Sequence, residues 1–88
     1  MTEAERQQLI LDHYEQVKRI AIGLSRRLPS HIDLDDLIGW GLLGLLQAVE
    51  HYDPSRSLEP LVELYVRGAI VDALRQQGVQ RSVIRAGR

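Results

Sequence analysis

The chain has 88 residues, of which 44% are hydrophobic and 26% charged, and it contains no cysteine. This length suits one small domain with a modest core, and the lack of cysteine excludes disulfides and thiolate metal sites. No stretch reaches the roughly 20 apolar residues of a membrane span, and the polar start MTEAERQQLI predicts no secretion signal. We expect a soluble, cytoplasmic protein without a membrane partner.

The net charge of −1 conceals an uneven distribution. Through Tyr65 six Lys and Arg stand against eleven Asp and Glu, whereas from Val66 onward five Arg stand against Asp72 alone. A basic C-terminal end favours an anionic partner there. It is also compatible with a solvated tail that keeps a small domain soluble.

The first predicted helix runs from about Glu3 to Leu28. Pro29 ends it, because proline disfavours helical geometry in the residue before it. Its apolar residues recur at three- and four-residue steps and form one stripe: Ile10, Tyr14, Val17, Ile20, Ala21, Leu24 and Leu28.

The second predicted helix begins at Asp33, whose side chain can cap the free backbone amides, and ends near His51. Asp35 and Asp36 fall in its first turn, where the helix dipole favours acids. Between Leu37 and Leu46 the helix is apolar on more than one face. It therefore needs burial on several sides, or a partner that covers one of them.

The third predicted helix begins near Ser57, has Pro60 in its first turn, and ends near Gly78, which can adopt the left-handed cap conformation. The final VQRSVIRAGR forms a short fourth helix or frays. Without any strand pattern, the sequence predicts a single all-α domain over residues 1–88, a bundle of three to four helices. The predicted packing surface of the third helix is Leu61, Leu64, Tyr65, Ala69, Ile70, Ala73 and Leu74.

The run GWGLLG at residues 39–44 matches the dinucleotide-binding pattern G-x-G-x-x-G. That pattern works only in a tight turn between a strand and a helix, and here a helix start precedes it, so we expect no cofactor. Each interior glycine costs a helix ~1 kcal/mol relative to alanine. The three glycines therefore predict close contact with a neighbouring helix or a partner.

Two interpretations of Trp40 follow from the residues alone: a core aromatic, or an anchor for a partner. The helix is too apolar for periodicity to decide between them. Trp40 falls toward the outside if the inward face is formed by Leu37, Ile38, Gly41, Leu45, Ala48 and Val49.

No arrangement of residues indicates catalysis. The three histidines are scattered, with no serine or cysteine arrangement around them. No further ligand is spaced to complete a metal site with Asp33, Asp35 and Asp36, and helix capping explains these acids. We expect neither an enzyme nor a metal site.

Three stretches, in this order, resemble region 2 of bacterial RNA polymerase sigma factors, particularly the flagellar and sporulation-type branch. They are Leu9–Ile38, Gly41–Arg56, and Arg67–Arg75 followed by Arg81–Arg85. The most specific element is D-L-I-x-x-G-x-x-G-L with the Y-D-P-x-R after it. The resemblance implies a helical bundle that acts in transcription initiation.

In that family the helix carrying this element docks on a coiled coil of the polymerase clamp. The resemblance therefore implies core RNA polymerase as the partner, and it favours an exposed Trp40. The implied polymerase contacts are Asp35, Asp36, Gly39, Trp40, Gly41, Leu42 and Leu46.

The segment after Y-D-P-x-R departs from the family. Family members have a phenylalanine and a Thr-Tyr-Ala element here, with which they stack unpaired promoter bases, and a later Asp-Trp-x-Pro-Arg. This chain has SLEPLVELYV with Glu59 and Glu63, and later QGVQR. Base stacking is worth ~1–3 kcal/mol per base, and acids repel phosphates, so promoter −10 binding is expected to be weak or lost. The remaining candidates for DNA contact are Tyr65, Arg67, Arg75, Arg81 and Arg85.

Two hypotheses result. In the first, the domain binds the polymerase clamp through its second helix, with promoter DNA as a weak partner. In the second, a degenerate relative serves protein–protein interaction, and the second helix packs against a copy of itself or an anti-sigma protein. A possible homo-oligomer bears on this choice: a stable homodimer that hides Trp40 would favour the second hypothesis.

Overall fold

The computed structural model describes residues 1–79. They form three helices, α1 (Glu3–Ser25), α2 (Leu34–Glu50) and α3 (Glu59–Gln76), and contain no strand. The predicted all-α class is confirmed. The predicted fourth helix lies outside the described residues. None of the three helices is long and apolar enough to span a membrane.

Side chains at the first two helix starts satisfy free backbone amides. The Thr2 hydroxyl accepts from the Glu5 N–H at 3.1 Å, and the Glu5 carboxylate accepts from the Thr2 N–H at 2.9 Å, which is a capping box. Asp33 caps α2 as predicted, by accepting from the Asp35 N–H at 2.8 Å. In α3, Pro60 occupies the first turn, where its missing N–H costs no helical hydrogen bond.

Two helix ends follow from Pro29 and Gly78. Helix α1 ends at Ser25 rather than at the predicted Leu28, whose N–H donates to the Ser25 carbonyl three residues back, at 3.2 Å. Gly78 has φ +82°, and the next residue, Val79, donates its N–H to the Leu74 carbonyl at 3.1 Å. The predicted left-handed cap of α3 is confirmed.

The core takes one stripe from each helix. The prediction that Tyr14 and Leu64 pack in the core is wrong: Tyr14 is 37% exposed beside Lys18, and Leu64 is 67% exposed. Two unpredicted residues, Val62 and Val66, face inward from α3. The expected inward face of α2 is confirmed except that Ile38 is half-buried. The buried apolar residues are Val17, Ile20, Ala21, Leu24, Leu37, Leu45, Ala48, Val49, Leu58, Val62, Val66, Ile70 and Leu74.

Two glycines of α2 let the helices approach closely. A Cβ at Gly44 would lie 2.8 Å from the Val66 Cα and would also collide with the Tyr65 carbonyl of α3. A Cβ at Gly41 would lie 2.9 Å from a methyl carbon of Val17 in α1. For these two glycines, the predicted close contact is with neighbouring helices of the same domain.

Candidate protein interface on α2

The outward face of α2 carries a line of residues at alternating three- and four-residue steps. This spacing keeps side chains on one side of a helix and is the spacing of a coiled-coil seam. Leu43, at the centre of the line, exposes 59% of its surface. We call this line the α2 seam, and it consists of Asp36, Gly39, Leu43, Leu46 and Glu50.

Most of the residues expected to contact the polymerase lie on or beside this seam. Asp36, Gly39 and Leu46 belong to it, and the exposed Asp35 lies next to it. Leu43 also belongs to the seam and was not among the contacts expected from the sequence. Its position, four residues after Gly39 and three before Leu46, is the signal that could have found it.

Trp40 and Leu42 lie on opposite flanks of the seam, and both are half-buried. Neither is enclosed in the core and neither is fully exposed. Trp40 borders a groove of about 760 Å³ between α2 and α3, together with Leu43 and Leu64. Part of its ring therefore remains available to a partner.

Gly41 is a correction to the expected contact set. It is buried, and a side chain there would point between Val17 of α1 and Val66 and Ile70 of α3. A residue that faces the core cannot offer its surface to another molecule. The apolar pattern of α2 was compatible with Gly41 on the inward face, and the structure places it there.

Gly39 has no such role in the packing of the domain. A Cβ added there would meet no atom within 4 Å among residues 1–79, apart from its own stretch of helix. A glycine in a helix interior costs ~1 kcal/mol relative to alanine. Gly39 therefore costs helix stability without an internal packing contact in return.

Acidic residues stand at both ends of the α2 seam. Asp35 and Asp36 lie in the first turn, Glu50 is the last helical residue, and α2 contains no lysine or arginine. Arg6 of α1 approaches Glu50 at 3.9 Å, but Glu50 is 62% exposed, so water weakens this pair. The seam therefore presents an apolar centre between two acidic ends.

Among residues 1–79, the candidate DNA contacts Tyr65 and Arg67 do not share one side of α3. Tyr65 stacks on His51, with ring centroids 5.3 Å apart, so one face of its ring is occupied. Arg67 projects from a different side of α3, because side chains two positions apart on a helix do not face each other. Arg81 and Arg85 lie outside the described residues.

Both described arginines of α3 have an acidic neighbour on their own helix. Arg67 Nε lies 3.5 Å from Glu63 Oε2, and Arg75 Nη1 lies 3.9 Å from Asp72 Oδ1. All four side chains are about half exposed or more, so these pairs are weak. They nevertheless reduce the positive potential that a phosphate would meet.

Residues 1–79 contain no group of three or more histidine, cysteine or acidic side chains that could hold a metal ion. Residues 1–79 thus form a helical module with an exposed apolar centre on the α2 seam.

Comparison with known proteins gives the family. The model of Sigma-70 region 2 matches residues 9–79. The RNA polymerase sigma factor FliA of Pseudomonas aeruginosa is 39% identical over 72 residues, which are 80% of this chain and 29% of the relative. The RNA polymerase sigma-D factor of Bacillus subtilis is 43% identical over 63 residues, 69% of this chain and 23% of the relative. FliA of Escherichia coli K12 is 41% identical over 75 residues, 82% of this chain and 31% of the relative.

The chain belongs to the Sigma-70 region 2 family, in the branch of the flagellar sigma factors. It spans less than a third of the length of these relatives. No solved structure matches it.

Proposed function

We propose that this domain binds the clamp coiled coil of core RNA polymerase through the α2 seam and acts in transcription initiation in the cytoplasm. Its contact with promoter −10 DNA is weak or lost. The observation that carries the proposal is Gly39, a bare position on an exposed helix face, next to the exposed Leu43. The role is binding and includes no catalytic step.

The spacing of the seam suits a helical partner. Residues at alternating three- and four-residue steps form the line along which two helices pack, with each side chain entering a hole on the other helix. Leu43 and Leu46 supply the apolar side chains, and Gly39 leaves room for the backbone or a large side chain of the partner. A coiled coil on the clamp is a partner of this shape.

The charges favour a basic partner over a second copy of α2. Two copies paired along this seam would bring acids together in either orientation: Asp36 meets Asp36 in a parallel pair, and Asp36 meets Glu50 in an antiparallel one. Like charges across an interface are unfavourable. The hypothesis of self-association through α2 is therefore the weaker one, and no feature of residues 1–79 favours an anti-sigma protein over the clamp.

The proposal of a weak contact with DNA is supported by the side chains of α3. Glu59 and Glu63 oppose phosphates near its start, and Arg67 and Arg75 each already have an acidic neighbour. Tyr65 has a single free ring face for stacking on a base. The relatives are named as sigma factors, but this chain lacks the α3 features with which the family stacks promoter bases.

The proposal is tested with two matched variants of the full chain and purified core polymerase. Leu43→Glu places a charge in the centre of the seam, and Leu11→Glu does so on α1, where Leu11 is 68% exposed. Neither side chain is needed for the core, so both variants are expected to fold. We expect Leu43→Glu to weaken binding by about tenfold or more, or roughly 1.4 kcal/mol, and Leu11→Glu to bind like the parent. Failure of the folded parent to bind polymerase, or equal binding by both variants, would contradict the proposal.

A further inference from the structure

The outward face of α3 carries a second line of residues at alternating three- and four-residue steps. Leu64 is 67% exposed, and a Cβ at the exposed Gly68 would meet no atom of residues 1–79 within 4 Å beyond its own helix. Flanking them on the same line, Leu61 and Val71 are half-buried. We call this line the α3 seam, and it consists of Leu61, Leu64, Gly68, Val71 and Arg75.

We propose that the α3 seam binds a second copy of this chain, so that two α3 helices pack in parallel about a twofold axis. The charged side chains beside the seam favour a second copy of the chain as the partner. Arg67 stands on one flank, and Asp72 stands on the other flank five positions later. In a parallel pair of helices with this spacing, a residue on the first flank faces the residue five positions later on the other helix.

The twofold axis makes each charge pair occur twice. Arg67 of each copy faces Asp72 of the other copy, and both contacts join opposite charges. An antiparallel pair would bring like flank against like flank, and hence arginine toward arginine. The same sequence thus stabilises the parallel arrangement and disfavours the antiparallel one.

The ion pairs within α3 are compatible with this arrangement. Arg67 has Glu63 at 3.5 Å, and Asp72 has Arg75 at 3.9 Å. Across the interface the four side chains form a row of alternating sign: Glu63, Arg67, then Asp72 and Arg75 of the second copy. The side chains of Arg67 and Asp72 are themselves about half exposed or more, so each can accept a further neighbour.

A second copy fits this face better than a nucleic acid does. The centre of the seam is apolar, and its arginines are balanced by acids, whereas binding to phosphates needs unbalanced positive charge. The α3 seam also differs in its charges from the α2 seam, which is acidic at both ends. The two seams border one groove, with Leu43 on the α2 side and Leu64 on the α3 side. The inference is argued from the charges beside the α3 seam and not from the proposed contact with polymerase.

The first test measures the mass of the full chain by sedimentation equilibrium over a wide dilution series. We expect the parent to form a dimer and Leu64→Glu to be a monomer at concentrations where the parent is paired. Leu11→Glu is the matched control, because Leu11 is exposed to the same degree on α1, and we expect it to dimerise like the parent. A parent that stays monomeric throughout overturns the proposal.

The second test exchanges the charges. Arg67→Asp and Asp72→Arg each place like charges across the parallel interface, so each variant alone is expected to dimerise about tenfold more weakly or worse. An equimolar mixture of the two variants restores both opposite-charge contacts and is expected to form a mixed dimer. Circular dichroism establishes that each variant is folded.

The mixture separates this interface from its alternatives. Weakening of each variant alone, together with recovery in the mixture, requires contact between the two positions in different chains, which loss of the contacts within α3 cannot produce. A mixture that associates no better than either variant alone overturns the proposal. The proposal is also overturned if the two variants have the same mass as the parent but retain a single-stranded oligonucleotide differently from it. In that case α3 would be a nucleic-acid surface.

Discussion

Three glycines within one short stretch of α2 lie in three different environments. Gly44 lies against the backbone of α3, Gly41 lies against side chains of α1 and α3, and Gly39 faces outward. The same residue type therefore permits close helix packing at the first position, fills a tight core site at the second and leaves a surface bare at the third. Substitution by alanine should separate these roles.

Gly44→Ala is expected to lower the free energy of unfolding. Its Cβ would collide with the α3 backbone at Tyr65 and Val66, which cannot move aside as a flexible side chain can, so we expect a loss of about 1–3 kcal/mol. Gly39→Ala is the control, and we expect it to gain about 0.5–1 kcal/mol, because its Cβ enters open space and alanine favours the helix. Urea denaturation measures both changes. A stable Gly44→Ala would contradict the close approach of α2 and α3.

At the scale of the element, the turn between α2 and α3 is held by Asp53. Its carboxylate accepts from the Ser55 backbone N–H at 3.0 Å and from the Ser55 hydroxyl at 2.8 Å. These two hydrogen bonds, the backbone one first, hold the pKa of Asp53 below its ordinary value of 3.8. The hydrogen bonds therefore favour the ionised carboxylate in the folded state.

This shift fixes the direction of a pH effect. Because the pKa of Asp53 is lower in the folded state, its contribution to stability is complete above the unfolded value of 3.8 and is lost as the pH falls through the folded value. Ser55→Ala removes the hydroxyl donor and is expected to move the pKa partway back toward 3.8. A carboxyl-carbon NMR titration of Asp53 measures this. An unchanged pKa in the variant would show that the hydroxyl bond is absent in solution.

The start of α2 and the end of α3 could be predicted from the sequence, because each depends on interactions within a few residues. The Asp33 cap and the left-handed Gly78 depend on side-chain and backbone geometry that neighbouring residues determine. The inner face of α3 was mispredicted for a different reason. Apolar residues lie on both its inward and outward sides, so periodicity selected Leu64 and overlooked Val62 and Val66.

The candidate site on α2 was partly predictable. The family resemblance pointed to Asp36, Gly39 and Leu46, which lie on one outward line, but it also included Gly41. Whether a helix residue faces a partner or the core depends on which side of the helix its neighbours pack. That arrangement is a property of the whole bundle, and the sequence pattern of α2 left more than one assignment of its faces open.

At the scale of the whole molecule, α2 and α3 each carry an outward line with an exposed leucine and a bare glycine. The α2 seam ends in acids at both ends, and the α3 seam is flanked by one arginine and one aspartate that complement those of a second copy. We propose the polymerase clamp as the partner of the first seam and a second copy of the chain as the partner of the second. Because the α2 seam and the α3 seam carry different charges, we expect each of them to bind a different partner.

Photocrosslinking from α2 tests most directly the central claim that the α2 seam contacts the polymerase clamp. A photoreactive residue replaces Leu43 in one sample and Leu11 in another, and each full chain is irradiated with core polymerase. We predict a covalent adduct with the clamp-bearing subunit from position 43 and none from position 11, because only the first lies on the α2 seam. No adduct from position 43, or equal adducts from both positions, would contradict the account.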